Sequence, residues 1–172
     1  MGGTIALQYA LDYPADLSRL VVLASFAGLP EQMAQTVAAQ RAYVESHTLR
    51  EIAEERVGAA FTANADQDLR AWMVDMIAGG DKQGYLSQAT TTFAFDVRDR
   101  LDEITVPTTI IHGEKDATVP VARGEELAKA IRGATLDVIA GEGHFANVQV
   151  PGKVNPLLAD ALGVPAELVP RR

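Results

Sequence analysis

Two short apolar runs alternate with two helical patterns in the last part of the chain. The runs VPTTIIHG (residues 106–113) and TLDVIAG (residues 135–141) are rich in β-branched residues, which predicts strands. Residues 120–132 and 147–162 have helical patterns, although two prolines break the start of the second. Because strand, helix, strand and helix follow one another, we expect right-handed crossovers and a parallel sheet.

The first 28 residues add a helix and a further strand. The segment GTIALQYALDY (residues 3–13) is apolar on nearly every side, which is typical of a buried helix, and Pro14 ends it. The run RLVVLAS (residues 19–25) is continuous and apolar. Such a run predicts a parallel strand that is covered on both faces.

The middle of the chain, residues 29–95, has a different pattern. It is rich in Ala, Gln, Glu and Arg and contains no strand-like run. We interpret it as a helical insertion that forms a second unit beside a core of residues 1–28 and 96–172. An alternative is that its helices simply cover the sheet. The helices are predicted at residues 31–44, 49–60, 66–78 and 82–92.

Composition excludes several classes of function. The net charge is −8 and no stretch is strongly basic, which argues against a nucleic-acid partner. No apolar run is long enough to span a bilayer, and no signal peptide is visible, so we expect a cytoplasmic protein. The chain has no cysteine, and its three histidines lack ligand spacing, so no metal site is expected.

The loops that follow the two last strands carry the candidate chemistry. Ligands bind beyond the carboxyl ends of the strands in open parallel sheets. HGEKDATVP (residues 112–120) offers Asp116, and the loop after the strand at 135–140 offers His144. A carboxylate beside an imidazole fixes the ring's tautomer and stabilises its protonated form, as a general base for a hydroxyl nucleophile requires.

With these residues the sequence resembles the α/β-hydrolase superfamily. HGEKDATVP is similar to the family's acid loop, and GEGHFANVQVP to the histidine loop of its small-molecule esterases and lactonases. MGGTIALQYALDYP is similar to the segment that follows the nucleophile elbow. The resemblance covers residues 1–28 and 96–162 and places the helical insertion at the family's cap position. Within the superfamily, the general pattern of the sequence most resembles that of 3-oxoadipate enol-lactonase-like enzymes.

The resemblance implies a serine nucleophile directly before Met1, in a Ser-Met-Gly-Gly elbow. The backbone N–H of Met1 would then serve the oxyanion hole, and Gly2 and Gly3 would be the small residues of the strained turn. We therefore expect that the chain begins just after its nucleophile and that Met1 is an artefact of gene calling. The four serines within the chain lack the context of a nucleophile: Ser18, Ser25, Ser46 and Ser87.

The roles of Asp116 and His144 have structural alternatives. Asp116 is also suited to capping a turn, and Glu114 is the nearest rival carboxylate, although we expect it to be solvated. His144 is also suited to a structural hydrogen bond in its loop. His112 lies inside a strand and is expected to be a core histidine, and His47 is expected to be exposed.

Several residues are candidates for a substrate pocket. Val119, Phe145 and Asn147 flank the expected site. Trp72, together with Met73 and Met76, is a candidate for lining the pocket under the cap, and packing among the helices is the alternative role for these three residues. Gly141 and Gly143 do not form a phosphate loop, because no helix begins there in the required way.

The resemblance implies the hydrolysis of a small carboxylic ester or lactone without a cofactor. Two relatives in the family, C–C bond hydrolases and haloperoxidases, remain as alternative activities. A pseudoenzyme that has lost its serine is a third. The last alternative is a non-catalytic binding module that self-associates through the exposed edge of the strand at residues 19–25.

Overall fold

A computed structural model describes residues 1–29 and 37–165 of the chain. Within these residues three parallel strands form one sheet in the order β1 (Leu20–Leu23), β2 (Thr108–Gly113) and β3 (Thr135–Ile139). The predicted parallel sheet is therefore confirmed. The described α-helices are α1 (Gly2–Asp12), α2 (Val37–Ser46), α3 (Leu49–Ala60), α4 (Gln67–Ala78), α5 (Lys82–Ala94), α6 (Ala122–Ala130), α7 (Ala146–Gln149) and α8 (Pro151–Leu162), and two short 3-10 helices span Pro14–Asp16 and Arg98–Glu103.

Helices cover both faces of the sheet. On one face, Val22 and Ile110 pack in a cluster with residues of α1 and α6 such as Leu7 and Leu127. On the other face, Ile111 packs with residues that include Val154 of α8 and Ala146 of α7. Burial on both faces explains why β1 and β2 do not alternate between apolar and polar residues, whereas β3 exposes Thr135 and Val138.

Helix α1 is only half buried, which corrects the prediction of a helix buried all round. Leu7 and Ala10 face β1 and are almost inaccessible to solvent. The opposite side of the helix has no such cover in the described part of the chain. Four large side chains along it are therefore exposed by 43% to 57%: Met1, Ile5, Tyr9 and Tyr13.

The last helical pattern is divided into two helices. Pro151 occupies the first position of α8, where no intrahelical amide bond is lost, and so separates α8 from α7. Pro156 was expected to lie in a broken start, but it lies inside α8. Pro156 and Gly152 are both exposed, so the carbonyl that lacks an amide partner is accessible to water.

Helices α2 to α5, here called the helical segment (residues 37–94), form two small apolar clusters. Val44 of α2, Ile52 of α3 and Leu86 of α5 are buried in one, and Val57 and Met73 in the other. The predicted helix at 31–44 begins outside the described residues. The starts of α3, α4 and α5 are set by local side-chain caps: Thr48, which forms a capping box with Glu51, then Asp66 and Asp81.

The chain segments that flank the helical segment meet beside the sheet. Gly28 and Asp96 form an isolated antiparallel bridge, and the amide of Val97 donates a hydrogen bond to the carbonyl of Ala27 at 2.8 Å. The chain thus leaves and re-enters the sheet region at one point. This arrangement brings the helical segment over the carboxyl edge of the strands, where it contacts the loop that carries His144.

Candidate active site

The loops after β2 and β3 lie side by side, because their strands are parallel neighbours. We call residues 114–121 the acid loop and residues 140–145 the histidine loop. The amide of Lys115 donates to the carbonyl of Glu142 at 2.8 Å, and the amide of Gly141 donates to the carboxylate of Glu114 at 2.7 Å. Glu114, expected to be merely solvated, therefore joins the two loops. A Cβ at Gly113 would lie 2.4 Å from the carbonyl oxygen of Gly143, so this approach requires glycine.

Asp116 and His144 are joined by a hydrogen bond. The Nδ1 of His144 lies 2.8 Å from the Oδ2 of Asp116, and the Asp116 side chain is fully buried. The other carboxylate oxygen, Oδ1, accepts the amides of Thr118 at 2.9 Å and Val119 at 2.7 Å. Because a carboxylate only accepts, Nδ1 carries the proton, and Nε2 is left with the lone pair that a general base needs when the ring is neutral.

A second imidazole lies near the same carboxylate oxygen of Asp116. The Nε2 of buried His112 is 2.7 Å from the carbonyl oxygen of Val119 and 3.5 Å from the Oδ2 of Asp116. His112 is thus a core histidine, as the sequence predicted, but its contact with Asp116 was missed. The only sequence signal for that contact is their spacing of four residues. The Nδ1 of His112 has no partner in the described chain and lies against Gly124.

The surroundings of Asp116 hold its carboxyl group in the charged form. Burial by itself raises the pKa of Asp116, but hydrogen bonds from His112, from His144 and from the amide of Val119 outweigh that effect. The pKa of this carboxyl therefore lies well below its usual range. At neutral pH, Asp116 is therefore an anion.

The ring of His144 lines a cavity of about 1040 Å³. The start of α1, the end of β1, the helices α2 to α5 and the histidine loop form its walls. The predicted pocket residues Phe145 and Asn147 line it, and so do Met1, Gly2 and Gly3. The Nε2 of His144 has no hydrogen-bond partner among the described residues, and His144 is one of the residues that line the cavity.

Two predicted pocket residues are not among the described residues that line this cavity. Trp72 does not line the cavity and is 54% exposed, so it belongs neither to the pocket nor to the core. Instead, the backbone amide of Val119 donates a hydrogen bond to Asp116, and its carbonyl oxygen lies at hydrogen-bond distance from His112. The wall that α4 contributes comes from Met73, Met76 and Ile77, and the first two were candidates together with Trp72. The helical pattern was visible in the sequence, but it did not show that Trp72 lies outside the cavity.

Other lining residues were not identified from the sequence. Arg56 of α3 lines the cavity, and its Nη2 donates to the side chain of Gln40 at 2.8 Å. Ser25 also lines the cavity, but no hydrogen bond joins it to His144. Ala24, between β1 and Ser25, has a φ of 47°, which is uncommon for a residue with a Cβ. Such backbone strain is found preferentially at functional sites.

Three further findings concern metal binding, the environment of His47 and membrane spanning. Across residues 1–29 and 37–165, no group of three or more acidic, histidine or cysteine side chains is arranged to hold a metal ion. His47 is half buried, not exposed as expected, because its ring packs against Tyr43 and its Nδ1 lies 2.8 Å from the carbonyl of Tyr43. In that same part of the chain, no helix has the length and apolar character needed to cross a membrane.

Comparison with known proteins identifies relatives among hydrolases. The chain is 27% identical over 175 residues to the AB hydrolase superfamily protein YisY of Bacillus subtilis, covering 92% of this chain and 62% of that protein. It is 28% identical over 158 residues to 3-oxoadipate enol-lactonase 2 of Acinetobacter baylyi, covering 90% and 58%. The enol-lactonase structure from Burkholderia xenovorans LB400 superposes with a TM-score of 0.87 at 23% identity, covering 95% and 63%.

The chain therefore spans about three fifths of the length of these relatives. The solved structure supports the fold, with a parallel sheet and flanking helices. The resemblance to the superfamily that the acid and histidine loops carry is confirmed by the curated relatives. Residues 1–145 match the sequence model of the hydrolase family described as "Serine aminopeptidase, S33", and the chain belongs to that family, within the α/β-hydrolases.

Proposed function

We propose that this chain contributes the acid and the base of a Ser-Asp-His triad that hydrolyses a small carboxylic ester or lactone. The observation that carries the proposal is the 2.8 Å hydrogen bond between buried Asp116 and His144, whose free Nε2 belongs to a ring lining a large cavity. The serine is proposed to precede Met1 directly. Support for that position is that Met1, Gly2 and Gly3 line the same cavity as His144.

The proposed first half-reaction forms an acyl-enzyme. His144 Nε2 removes the proton from the serine hydroxyl while the serine oxygen bonds to the substrate's carbonyl carbon. The negative charge that develops on the carbonyl oxygen is stabilised by the backbone N–H of Met1. The ester C–O bond then breaks, and His144 returns the proton to the leaving oxygen. Asp116 holds the ring in position and stabilises its positive charge throughout.

In the second half-reaction water replaces the leaving alcohol. His144 takes a proton from water, the hydroxide oxygen bonds to the acyl carbon, and the bond to serine breaks as the proton passes to the serine oxygen. The products are a carboxylic acid and the regenerated enzyme. A lactone follows the same steps, except that its alcohol and acid remain in one molecule.

Residues 29–95 are proposed to act as the cap over this site. In support, helices α2 to α5 supply much of the cavity wall, and their contribution includes apolar side chains such as Val44, Met73 and Ile77. An apolar wall suits a small acyl group and excludes water from the reacting atoms. The proposed cap thus selects for the size and polarity of the substrate.

The proposal is tested on the protein as its native source makes it. Its intact mass and amino-terminal sequence are determined, and it is treated with a fluorophosphonate, which labels activated serines. We expect labelling at a serine directly before Met1, together with hydrolysis of p-nitrophenyl acetate or an enol-lactone. His144→Gln should abolish both. A protein of 18.4 kDa that starts at Met1, takes no label and hydrolyses neither substrate would refute the proposal.

A further inference from the structure

The carboxyl end of helix α3 is bonded to the backbone of the candidate base. Ala60 is the last residue of α3, so its carbonyl has no amide partner within the helix. That carbonyl accepts hydrogen bonds from the amides of His144 at 2.9 Å and Phe145 at 3.4 Å. A Cβ at Gly143 would lie 2.6 Å from the same oxygen, so the histidine loop approaches α3 as closely as a glycine permits.

A pair of side-chain hydrogen bonds reinforces this contact. The amide of Thr62 donates to Oε1 of Gln149 at 3.3 Å, and Nε2 of Gln149 donates to Oγ1 of Thr62 at 2.5 Å. A guanidinium N–H of Arg70 donates to the carbonyl of Thr62. Gln149 lies on α7, which begins two residues after His144. Its side chain therefore joins α7 to the residues that directly follow α3.

Aromatic packing shields the contact between the histidine loop and the end of α3 from solvent. The rings of Phe61 and Phe145 lie 5.3 Å apart, and the guanidinium of Arg70 lies 5.5 Å from the ring centre of Phe61. Phe61 is buried, and Phe145 belongs to its cluster. The amides of His144 and Phe145 therefore bond to Ala60 beside an apolar cover, where a hydrogen bond is less exposed to competition from water.

We propose that Gln149 and Thr62 are positioning residues that hold the backbone of His144 against the carbonyl of Ala60. Asp116 fixes the rotation of the ring, but it does not fix the position of the backbone that carries the ring. The acid loop contacts the histidine loop on one side, and the end of α3 contacts it on the other. Without the Gln149–Thr62 pair, the histidine loop is expected to lose part of its restraint on the α3 side, and Nε2 of His144 then moves relative to the substrate.

This inference rests on the proposed role of His144 as the base, but its first test does not need catalysis. Amide hydrogen exchange is measured by NMR on the protein and on its Gln149→Ala variant. We expect the protection of the His144 amide to fall by about tenfold, the equivalent of one hydrogen bond. The amides of Thr118 and Val119, which bond to Asp116, should keep their protection. Unchanged protection at His144 would overturn the inference.

Three further variants separate positioning from general destabilisation. Thr62→Val removes the hydroxyl at nearly constant volume and should reproduce the effect of Gln149→Ala. In Gln149→Glu, one carboxylate oxygen still accepts the hydrogen bond from the amide of Thr62, and the other accepts a hydrogen bond from the Thr62 hydroxyl. This variant should therefore restore the protection of the His144 amide. Gln83→Ala, an exposed glutamine on α5, is the matched control and should change nothing. Equal protection in Gln149→Glu and Gln149→Ala would contradict the proposed pair of bonds.

The second test is kinetic and uses the enzyme with its nucleophile. Misplacement of a catalytic group by about 1 Å costs up to about a hundredfold in rate. Gln149→Ala should therefore lower kcat at least tenfold with little change in KM, and Gln149→Glu should recover it. A Gln149→Ala variant as active as the native enzyme would contradict the inference. If the native enzyme hydrolyses nothing, the proposed function fails, while the exchange experiment still decides the positioning of His144.

Discussion

Gly3 of α1 packs so closely against Ser25 that a Cβ at position 3 would lie 2.3 Å from the Cβ of Ser25. Real side chains do not approach so closely, so α1 and the end of β1 depend on the absence of a side chain at Gly3. We expect Gly3→Ala to lower the free energy of unfolding by about 1–3 kcal/mol, as for other overpacked contacts. Urea denaturation measures the effect.

The steric origin of that loss has its own test. Ser25→Gly in the Gly3→Ala background removes the opposing Cβ and should recover part of the lost stability. Gly58→Ala is the control, because a Cβ at this position of α3 meets no atom within 4 Å. It should stabilise the helix by about 0.5–1 kcal/mol. A Gly3→Ala protein as stable as the native one would show that α1 is free to shift away from Ser25.

The hydrogen bonds to Asp116 predict a dependence of stability on pH. The pKa of Asp116 is lower in the folded protein than in the unfolded chain, so the folded state favours the charged carboxylate. Its contribution is fully present above the unfolded pKa of about 3.9 and is lost as pH falls toward and through the folded value. We expect the difference in unfolding free energy between the native protein and Asp116→Asn to be constant above pH about 5 and to shrink below pH about 4.

Urea denaturation of both proteins between pH 2 and pH 7 measures this difference. A difference that grew on acidification would mean that the folded state binds the proton at Asp116 more tightly, which is opposite to the predicted direction. The same variant should lower kcat by about 10⁴-fold in the proposed enzyme, because an amide does not hold the His144 tautomer or stabilise its charged ring.

Neighbouring positions on α4 should respond very differently to truncation. Met73 is 5% exposed, belongs to the cluster around Val57 and Phe61, and lines the cavity. Met73→Ala should cost about 2–5 kcal/mol of stability. Trp72 is exposed outside the cavity, so Trp72→Ala should change stability by no more than about 0.5 kcal/mol and leave ester hydrolysis unaltered. Thermal unfolding and a substrate titration check both, and a loss of activity in Trp72→Ala would restore its predicted role in the pocket.

The exposed apolar row on α1 predicts self-association of the 172-residue chain. Met1, Ile5, Tyr9 and Tyr13 lie on one side of the helix, and β1 is at an edge of the described sheet. Contiguous exposed apolar surface and open strand edges both promote association. Sedimentation velocity at several concentrations should show oligomers, and Ile5→Glu should reduce them.

Gln83→Glu adds the same charge on an exposed part of α5 and is the control for Ile5→Glu. It should leave the distribution of oligomers as it is in the native chain. A native chain that sediments as a monomer at every concentration is incompatible with the prediction, and the exposed row on α1 would then need no partner.

Local patterns in the sequence were sufficient for most elements of the fold. The apolar runs predicted the three strands, and α3 was predicted with its observed bounds, residues 49–60. Asp116 and His144 were identified because loops at the carboxyl ends of neighbouring parallel strands must meet. These inferences succeed because side-chain periodicity and helix capping act over a few residues, and parallel topology follows from the order of the elements.

Only the tertiary structure decided which surfaces face one another. Periodicity shows that α4 has an apolar side, but packing against α3 and the histidine loop determined that Met73, not Trp72, lines the cavity. The bonds from His144 to Ala60 and from Gln149 to Thr62 join residues more than eighty positions apart. No local pattern specifies such contacts, because they depend on how separately formed elements pack. The sequence thus determined the candidate acid and base, and tertiary packing determined what holds them in position.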